Sequence, residues 1–353
     1  MNHSYLKSDA LALLKKLIAT PSFSKEEAET ASIIGDWLTK HNIPFNRQEN
    51  NIWTWNRHFD KTKPTILLNS HHDTVKPNEG YTNDPFDAKI EDGKLFGLGS
   101  NDAGASLVAL LAVFKNYYGQ ENMAYNLVIA ATAEEEISGQ NGIESIFPLL
   151  PSIEFALIGE PTEMNLAIAE KGLLVIDAIA DGIAGHVAHD NTKNAIQSAI
   201  ADIQLLQELQ FPKESSLLGK TKISVTQIQA GTQHNVVPDS CHFVIDVRVN
   251  DMYSNEEVFD IIKSTVSSKL TARSMRLNSS AISETHPIVQ AGKNLGLTTY
   301  GSPTLSDQAL LNCPSLKIGP GVSSRSHSAD EFIEIQELEY GIDTYINLLN
   351  QLL

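Results

Sequence analysis

The sequence predicts an α/β protein, a mixed sheet flanked by helices and interrupted by an inserted α+β unit. Three observations carry this. Short apolar runs at 65–68, 126–132, 155–158 and 316–318 each end in a polar or Gly/Pro-rich tip and alternate with amphipathic stretches, as expected for buried strands that deliver functional residues beyond their carboxyl ends. From about residue 171 to 280 the pattern becomes β-α-β-β-α-β, the order of a ferredoxin-like unit. The chain has 353 residues, more than the roughly 250 to 300 that one hydrophobic core organises.

The elements follow in order. Residues 8–18 have helical spacing, and Ser24 with Glu27 reads as a capping box for a second amphipathic helix with Ala28, Ala31, Ile33, Ile34, Trp37 and Leu38 as its apolar positions. Residues 51–55 alternate as a strand, 65–70 form the buried strand after Pro64, and 89–98 read as a hairpin turning at Asp92-Gly93. Gly97-Leu98-Gly99-Ser100-Asn101-Asp102 leads into an Ala/Leu-rich helix over 103–118. A dinucleotide loop would need glycine at 102, where an aspartate would repel a pyrophosphate; the glycines instead let the backbone bend to present Asp102. The strand at 126–132 ends in Ala133-Glu134-Glu135-Glu136, and the one at 155–158 delivers Glu160.

Inside the inserted unit, strands are expected at 173–180, 222–229, 242–249 and 273–277, with helices at 194–209 and 255–270. The expected domains are 1–170 with 281–353, and 171–280. After the insertion come a helix at 286–294, the last strand, the Gly319-Pro320-Gly321 turn, His327, and a closing helix over 335–353.

Composition narrows the function. A net charge of −17 argues against nucleic acid or an anionic membrane as partner. No apolar run reaches the roughly 20 residues of a membrane span, and Met1–Lys7 lacks the basic-then-apolar order of a leader, so a cytoplasmic protein is expected. Cys241 and Cys313 alone cannot make a disulfide framework or a thiolate zinc site, which leaves His, Asp and Glu to hold any metal.

On a strand, His71 and Asp73 point the same way, so the carboxylate can hold one imidazole nitrogen while the other binds a metal. Three consecutive carboxylates at a strand end repel one another unless a cation lies among them. His71, Asp102, Glu136, Glu160 and His327 all stand at strand or loop ends. Two imidazoles and three carboxylates suit two zinc ions with Asp102 bridging, and Glu135 is placed to take a proton from water. Asp73 would support His71.

Together, His71-x-Asp73, Gly97-x-Gly99-x-x-Asp102, Glu134-Glu135-Glu136, Gly159-Glu160-Pro161-Thr162, Gly182-x-x-x-His186, Asn235-x-x-Pro238, Arg248 and Gly319-Pro320-Gly321 before His327 resemble the acetylornithine deacetylase and succinyl-diaminopimelate desuccinylase family. The resemblance implies a zinc-peptidase-like catalytic domain with two zinc ions per chain, for which cobalt can substitute, and a lid domain that forms a homodimer. It assigns His71 and Glu160 to one metal, Glu136 and His327 to the other, Asp102 as bridge and Glu135 as general base. It makes His186 a lid histidine that reaches the partner subunit's site and polarises the scissile carbonyl, and Asn235 and Arg248 substrate-binding residues, the Arg248 fork suiting a carboxylate. The stretches His71–Pro77 and Gly99–Ala105 are most similar to short arginine-pathway deacylases, which implies N-acetyl- or N-succinyl-ornithine as substrate. A succinyl-diaminopimelate desuccinylase or a metallo-exopeptidase or dipeptidase would use the same core. A non-catalytic metal-binding protein would have no need of Glu135 beside a full set of ligands.

Overall fold

The computed structural model describes residues 3–353. Met1 and Asn2, the first two residues of the stretch read for a leader, lie outside the described residues. The chain forms two compact units, Met1–Ile168 with Ile282–Tyr300 and Ser306–Leu353, and Ala169–Ala281 with Gly301–Leu305. Among the described residues no helix is long and apolar enough to cross a membrane.

The first unit opens with α1 (Ser4–Ile18) and α2 (Ala28–Lys40), followed by β1 (Asn46–Gln48), β2 (Asn51–Trp55) and β3 (Thr65–His71). The hairpin β4 (Ile90–Glu91) and β5 (Lys94–Phe96) turns at Asp92 and Gly93, whose φ angles of 50° and 77° are those of the expected tight turn. Then come α3 (Ala105–Tyr117), β6 (Asn126–Thr132), β7 (Phe155–Ile158) and β8 (Leu166–Glu170). Its sheet runs β1-β2-β6-β3-β7, then the strand Ser315–Lys317, then β8. β6, β3, β7 and Ser315–Lys317 are parallel, while β1, β2 and β8 are antiparallel to their neighbours, so the sheet is mixed.

Every residue of β3, β6 and β7 is buried, which is why these strands appear in the sequence as unbroken apolar runs rather than alternations. α3 is buried almost all round because its small residues let it pack between α1, the sheet and the closing helix Ile335–Leu349. Tyr117 donates to the carbonyl of Ile346 at 3.0 Å, and Tyr345 to that of Ile318, which pins the closing helix to the sheet. The four parallel strands therefore end on one edge, where His71, Glu134–Glu136, Glu160 and the Gly319–Gly321 turn follow one another.

The second unit contains β9 (Gly172–Asp181), the helix Ala195–Glu208, the strands Lys222–Ala230 and Ser240–Val249, the helix Asn255–Thr265 and the strand Lys269–Ala272. Its antiparallel sheet places Lys222–Ala230 at one edge, then Ser240–Val249, β9 and Lys269–Ala272, the ferredoxin-like arrangement. Alternate residues of β9 (Leu174, Ile176, Ala178, Ala180) join Ala195, Ala199, Leu206, Val258 and Ile262 in its core.

Three expectations differ from the structure. The second helix stops at Thr265 rather than 270, and the last strand lies at Lys269–Ala272 rather than 273–277. The buried Asp202 carboxylate accepts from the backbone N–H groups of Ser267 (3.0 Å) and Ser268 (2.8 Å), which bends the chain out of the helix early. The third correction is the capping box at Ser24 and Glu27, which does not form, because both side chains are used elsewhere.

Candidate metal centre

His71 ends the central strand and is 1% exposed. Its Nδ1 donates to the carbonyl of Asp73 at 3.0 Å and lies 3.3 Å from Asp73 Oδ1, which turns Nε2 toward the carboxylates. The buried Asp73 carboxylate also accepts from Ser24 Oγ at 2.7 Å and from the N–H groups of Glu135 (3.0 Å) and Glu136 (3.2 Å). Burial pushes its pKa up, yet the bonds from His71, Ser24 and Glu135 outweigh that and the net shift is downward. Asp73 thus stays charged, orients His71 and fixes the turn carrying Glu135 and Glu136. Ser24, read as a helix cap, is one of its donors.

Asp102 is presented by the bend at Gly97–Gly104. Gly99 has φ 75°, and a Cβ there would meet Thr74 Cγ2 at 2.6 Å, so the position admits only glycine without strain. Glu331 holds the bend from behind: its buried carboxylate accepts from the N–H groups of Gly99 (3.1 Å), Asn101 (2.8 Å) and Asp102 (2.9 Å). Burial, and then the charge of Asp102, push Glu331 up to about 8. Asp102 Oδ1 lies 3.4 Å from His71 Nε2, and Oδ2 lies 3.6 Å from His327 Nε2. One carboxylate therefore faces both imidazoles, one oxygen to each.

The three glutamates diverge. Glu134 takes φ 56° and turns away, its carboxylate accepting from Asn141 Nδ2 at 3.0 Å, while its N–H donates to Glu27 Oε1 at 3.2 Å. Glu27 also accepts from Asn50 Nδ2 at 2.7 Å, so the expected capping residue instead braces this turn. Glu135 Oε2 lies 3.9 Å from His71 Nε2. Glu136 Oε2 accepts from His327 Nε2 at 2.9 Å. Glu160 follows β7, whose end is tied to β3 by Ser70 Oγ donating to the carbonyl of Gly159 at 2.8 Å. Its Oε1 lies 3.8 Å from His71 Nε2.

This crowding has electrostatic consequences. Burial, then the neighbouring Asp102, push Glu160 up to about 8, and burial leads the large upward shift of Glu135, which Glu160, Asp307 and Glu136 reinforce. His327 is pushed up to about 9, first by its hydrogen bond to Glu136. Carboxylates gathered this closely are relieved by a cation. Two sets of ligand atoms lie within 4.8 Å of one another, His71-Asp102-Glu136 and His71-Glu135-Glu160. These imidazole and carboxylate donors could hold metal ions.

The remaining candidates lie in the second unit. His186, in the two-residue strand Gly185–His186, is exposed, accepts from the N–H of Ala188 at 3.2 Å, and its ring centroid lies 5.8 Å from that of His189. The carbonyl of Asn235 accepts from the N–H of Val187 at 3.2 Å. Arg248 donates its fork to Asp246 at 2.9 and 3.1 Å.

Two buried carboxylates escaped the sequence reading. Glu331 stands four residues beyond His327 in an acidic surface-like stretch, and nothing local marks it. Asp307 accepts from Asn69 and Thr132 side chains and is pushed up to about 6, mainly by burial.

Residues 67–351 match the model of peptidase family M20/M25/M40. Among solved structures the chain is similar to a tripeptidase from Staphylococcus aureus (20% identity, 97% of each chain covered, TM-score 0.79). It is also similar to an M20 family metallo-carboxypeptidase from Sulfolobus solfataricus (17% identity, 97% of this chain and 98% of that one, TM-score 0.77). A dinuclear metal binding peptidase of the M20 family from Bacillus subtilis aligns at 17% identity over 98% of both chains, with a TM-score of 0.74. At these identities the likeness shows the fold.

Proposed function

We propose that this chain, which belongs to peptidase family M20/M25/M40 and is a metal-dependent hydrolase of the peptidase and amidohydrolase kind, removes the acyl group from an N-acyl amino acid, with N-acetyl- or N-succinyl-ornithine as substrate in arginine biosynthesis. The observation that carries the hydrolase reading is Asp102, whose two oxygens face His71 and His327 separately at 3.4 and 3.6 Å while Glu135 stands alongside. The choice of substrate rests on the sequence likeness of 71–77 and 99–105 to arginine-pathway deacylases.

In this reading His71 and Glu160 would hold one zinc, Glu136 and His327 the other, and Asp102 would serve both. Bound there, the ions supply the Lewis acidity that lowers the pKa of water toward about 7 and polarises an amide carbonyl. Glu135 takes the proton of the attacking water at its carboxylate and returns it to the departing amine nitrogen. Asp73 keeps the Nδ1 proton on His71, so that Nε2 remains a lone-pair donor. His186 donates to the carbonyl oxygen as negative charge develops there, reaching the site of the partner subunit in a homodimer formed through the inserted unit. Asn235 and Arg248 bind the substrate's polar groups, Arg248 exchanging Asp246 for a substrate carboxylate. The products are the free amino acid and acetate or succinate.

A second reading, a metallo-exopeptidase, is favoured by the carboxypeptidase and tripeptidase among the structural neighbours. The two readings differ in whether a free α-amino group is accepted. Zinc-loaded protein is incubated with N-acyl amino acids and with di- and tripeptides, and the released amine is quantified. Faster release from N-acetyl- or N-succinyl-ornithine than from any peptide is expected. Faster cleavage of peptides would replace the deacylase with the exopeptidase.

A further inference from the structure

Asp307 has no part in the chemistry above, yet it sits where both ligand-bearing strands end. It opens a single helical turn, Asp307–Leu310, and is 3% exposed. Its Oδ2 accepts from Asn69 Nδ2 and from Thr132 Oγ1, both at 2.8 Å, and both donors are fully buried. Asn69 lies two residues before His71, on the same face of β3. Thr132 is the last residue of β6, paired in register with His71, and two residues later the Glu134–Glu136 turn begins.

A buried carboxylate is costlier than an apolar side chain of the same size, so simple filling of the core does not account for it. Its position does. The ladder of β3 and β6 ends at the pair His71 and Thr132, and β6 carries Glu135 and Glu136 on the turn beyond it, where backbone pairing no longer fixes their place. A single oxygen accepting from Asn69 and Thr132 links the two strands where that ladder ends.

We infer that Asp307 is a positioning residue, which ties Asn69 to Thr132 and so sets the spacing between His71 and the Glu135–Glu136 turn. The inference rests on the metal-hydrolase reading. An asparagine can present its carbonyl oxygen to the same two donors, whereas an alanine cannot.

The test compares Asp307→Ala, Asp307→Asn and wild type for zinc affinity by chelator competition and for kcat and KM, with circular dichroism to verify the fold. Loss of such supporting bonds at metal sites typically lowers affinity or activity about 10- to 100-fold. That loss is expected in Asp307→Ala, with kcat reduced and KM nearly unchanged, and Asp307→Asn is expected to restore most of both. Thr132→Val removes one donor at constant shape and serves if the alanine variant does not fold; the same direction of change is expected. A folded Asp307→Ala, or Thr132→Val in its place, with wild-type zinc affinity and kcat overturns the inference, as does an asparagine variant as impaired as the alanine one. Wild-type protein that binds no zinc would instead overturn the metal reading, and the two failures are distinguishable because one appears before any substitution.

Discussion

His71 and His327 approach the same carboxylate from opposite sides, but they are built in different ways. His71 ends a central strand, is 1% exposed, and is backed by Asp73. His327 sits in a loop with φ 59°, its side chain 53% exposed. Its loop is held by hydrogen bonds to other loops: Asn78 Nδ2 donates to its carbonyl at 3.1 Å, and Asp330 accepts from the N–H groups of Thr82 and Asn83 at 3.0 and 2.9 Å. One arm is preorganised by the sheet, the other by polar contacts at the surface, where local opening is easier. The proposed ion at His71 and Glu160 should therefore bind more tightly and exchange more slowly than the one at Glu136 and His327.

Glu135, which belongs to neither arm, gives the largest expected effect. In Glu135→Ala hydrolysis should fall about 10²- to 10⁴-fold, the usual contribution of a general base, with zinc content unchanged. Loss of zinc in that variant would make Glu135 a ligand and break the division between arms and base.

Removing each arm tests the asymmetry itself. Because the ion proposed at His71 and Glu160 is the tighter of two that would share Asp102, His71→Ala should lose both ions on dialysis, whereas His327→Ala should keep the tighter one. Plasma mass spectrometry on dialysed protein reads the difference; equal losses would show that the arms are equivalent.

A smaller effect is expected behind the buried arm. Asp73→Ala should weaken zinc binding about 10- to 100-fold, measured by chelator competition. Unchanged affinity would mean that the sheet alone positions His71.

The smallest effect is the pH dependence of the metal-free protein. His327, raised from 6.5 to about 9, adds stability that is complete below pH 6.5 and disappears as pH rises through 9. Glu160, raised from 4.5 to about 8, keeps a proton in the folded chain that the unfolded chain has already released, so stability also falls between those values. Both act in one direction. The thermal midpoint of chelator-treated protein should drop from pH 6.5 to pH 9, and zinc should restore it; a rising midpoint would show that the arms do not share protons as described.

The buried arm was also the more legible one. Strands β3, β6 and β7 are covered on both faces, so their sequences are unbroken apolar runs, and the polar residue that ends each run marks the site. His71 and Asp73 share a face by strand geometry alone. The loop arm offers only a histidine after a Gly/Pro turn, because what holds it comes from far along the chain: Asn78 donates to the carbonyl of His327 across 249 residues, and Thr82 and Asn83 donate to Asp330 across 248 and 247. Ser24 and Glu27 have the spacing of a capping box, but Asp73 and the Glu134 turn claim them. The helix ending at Thr265 reads as longer in the sequence for the same reason, since its stop signal is Asp202 on another helix.

The proposed chemistry requires a two-cation centre at the carboxyl edge of the sheet. Titrating metal-free wild-type protein with zinc by calorimetry tests it most directly. Two ions per chain are expected, bound in separable steps with the tighter step surviving His327→Ala. Saturation without any tight zinc, or two steps both insensitive to His71→Ala, would contradict it.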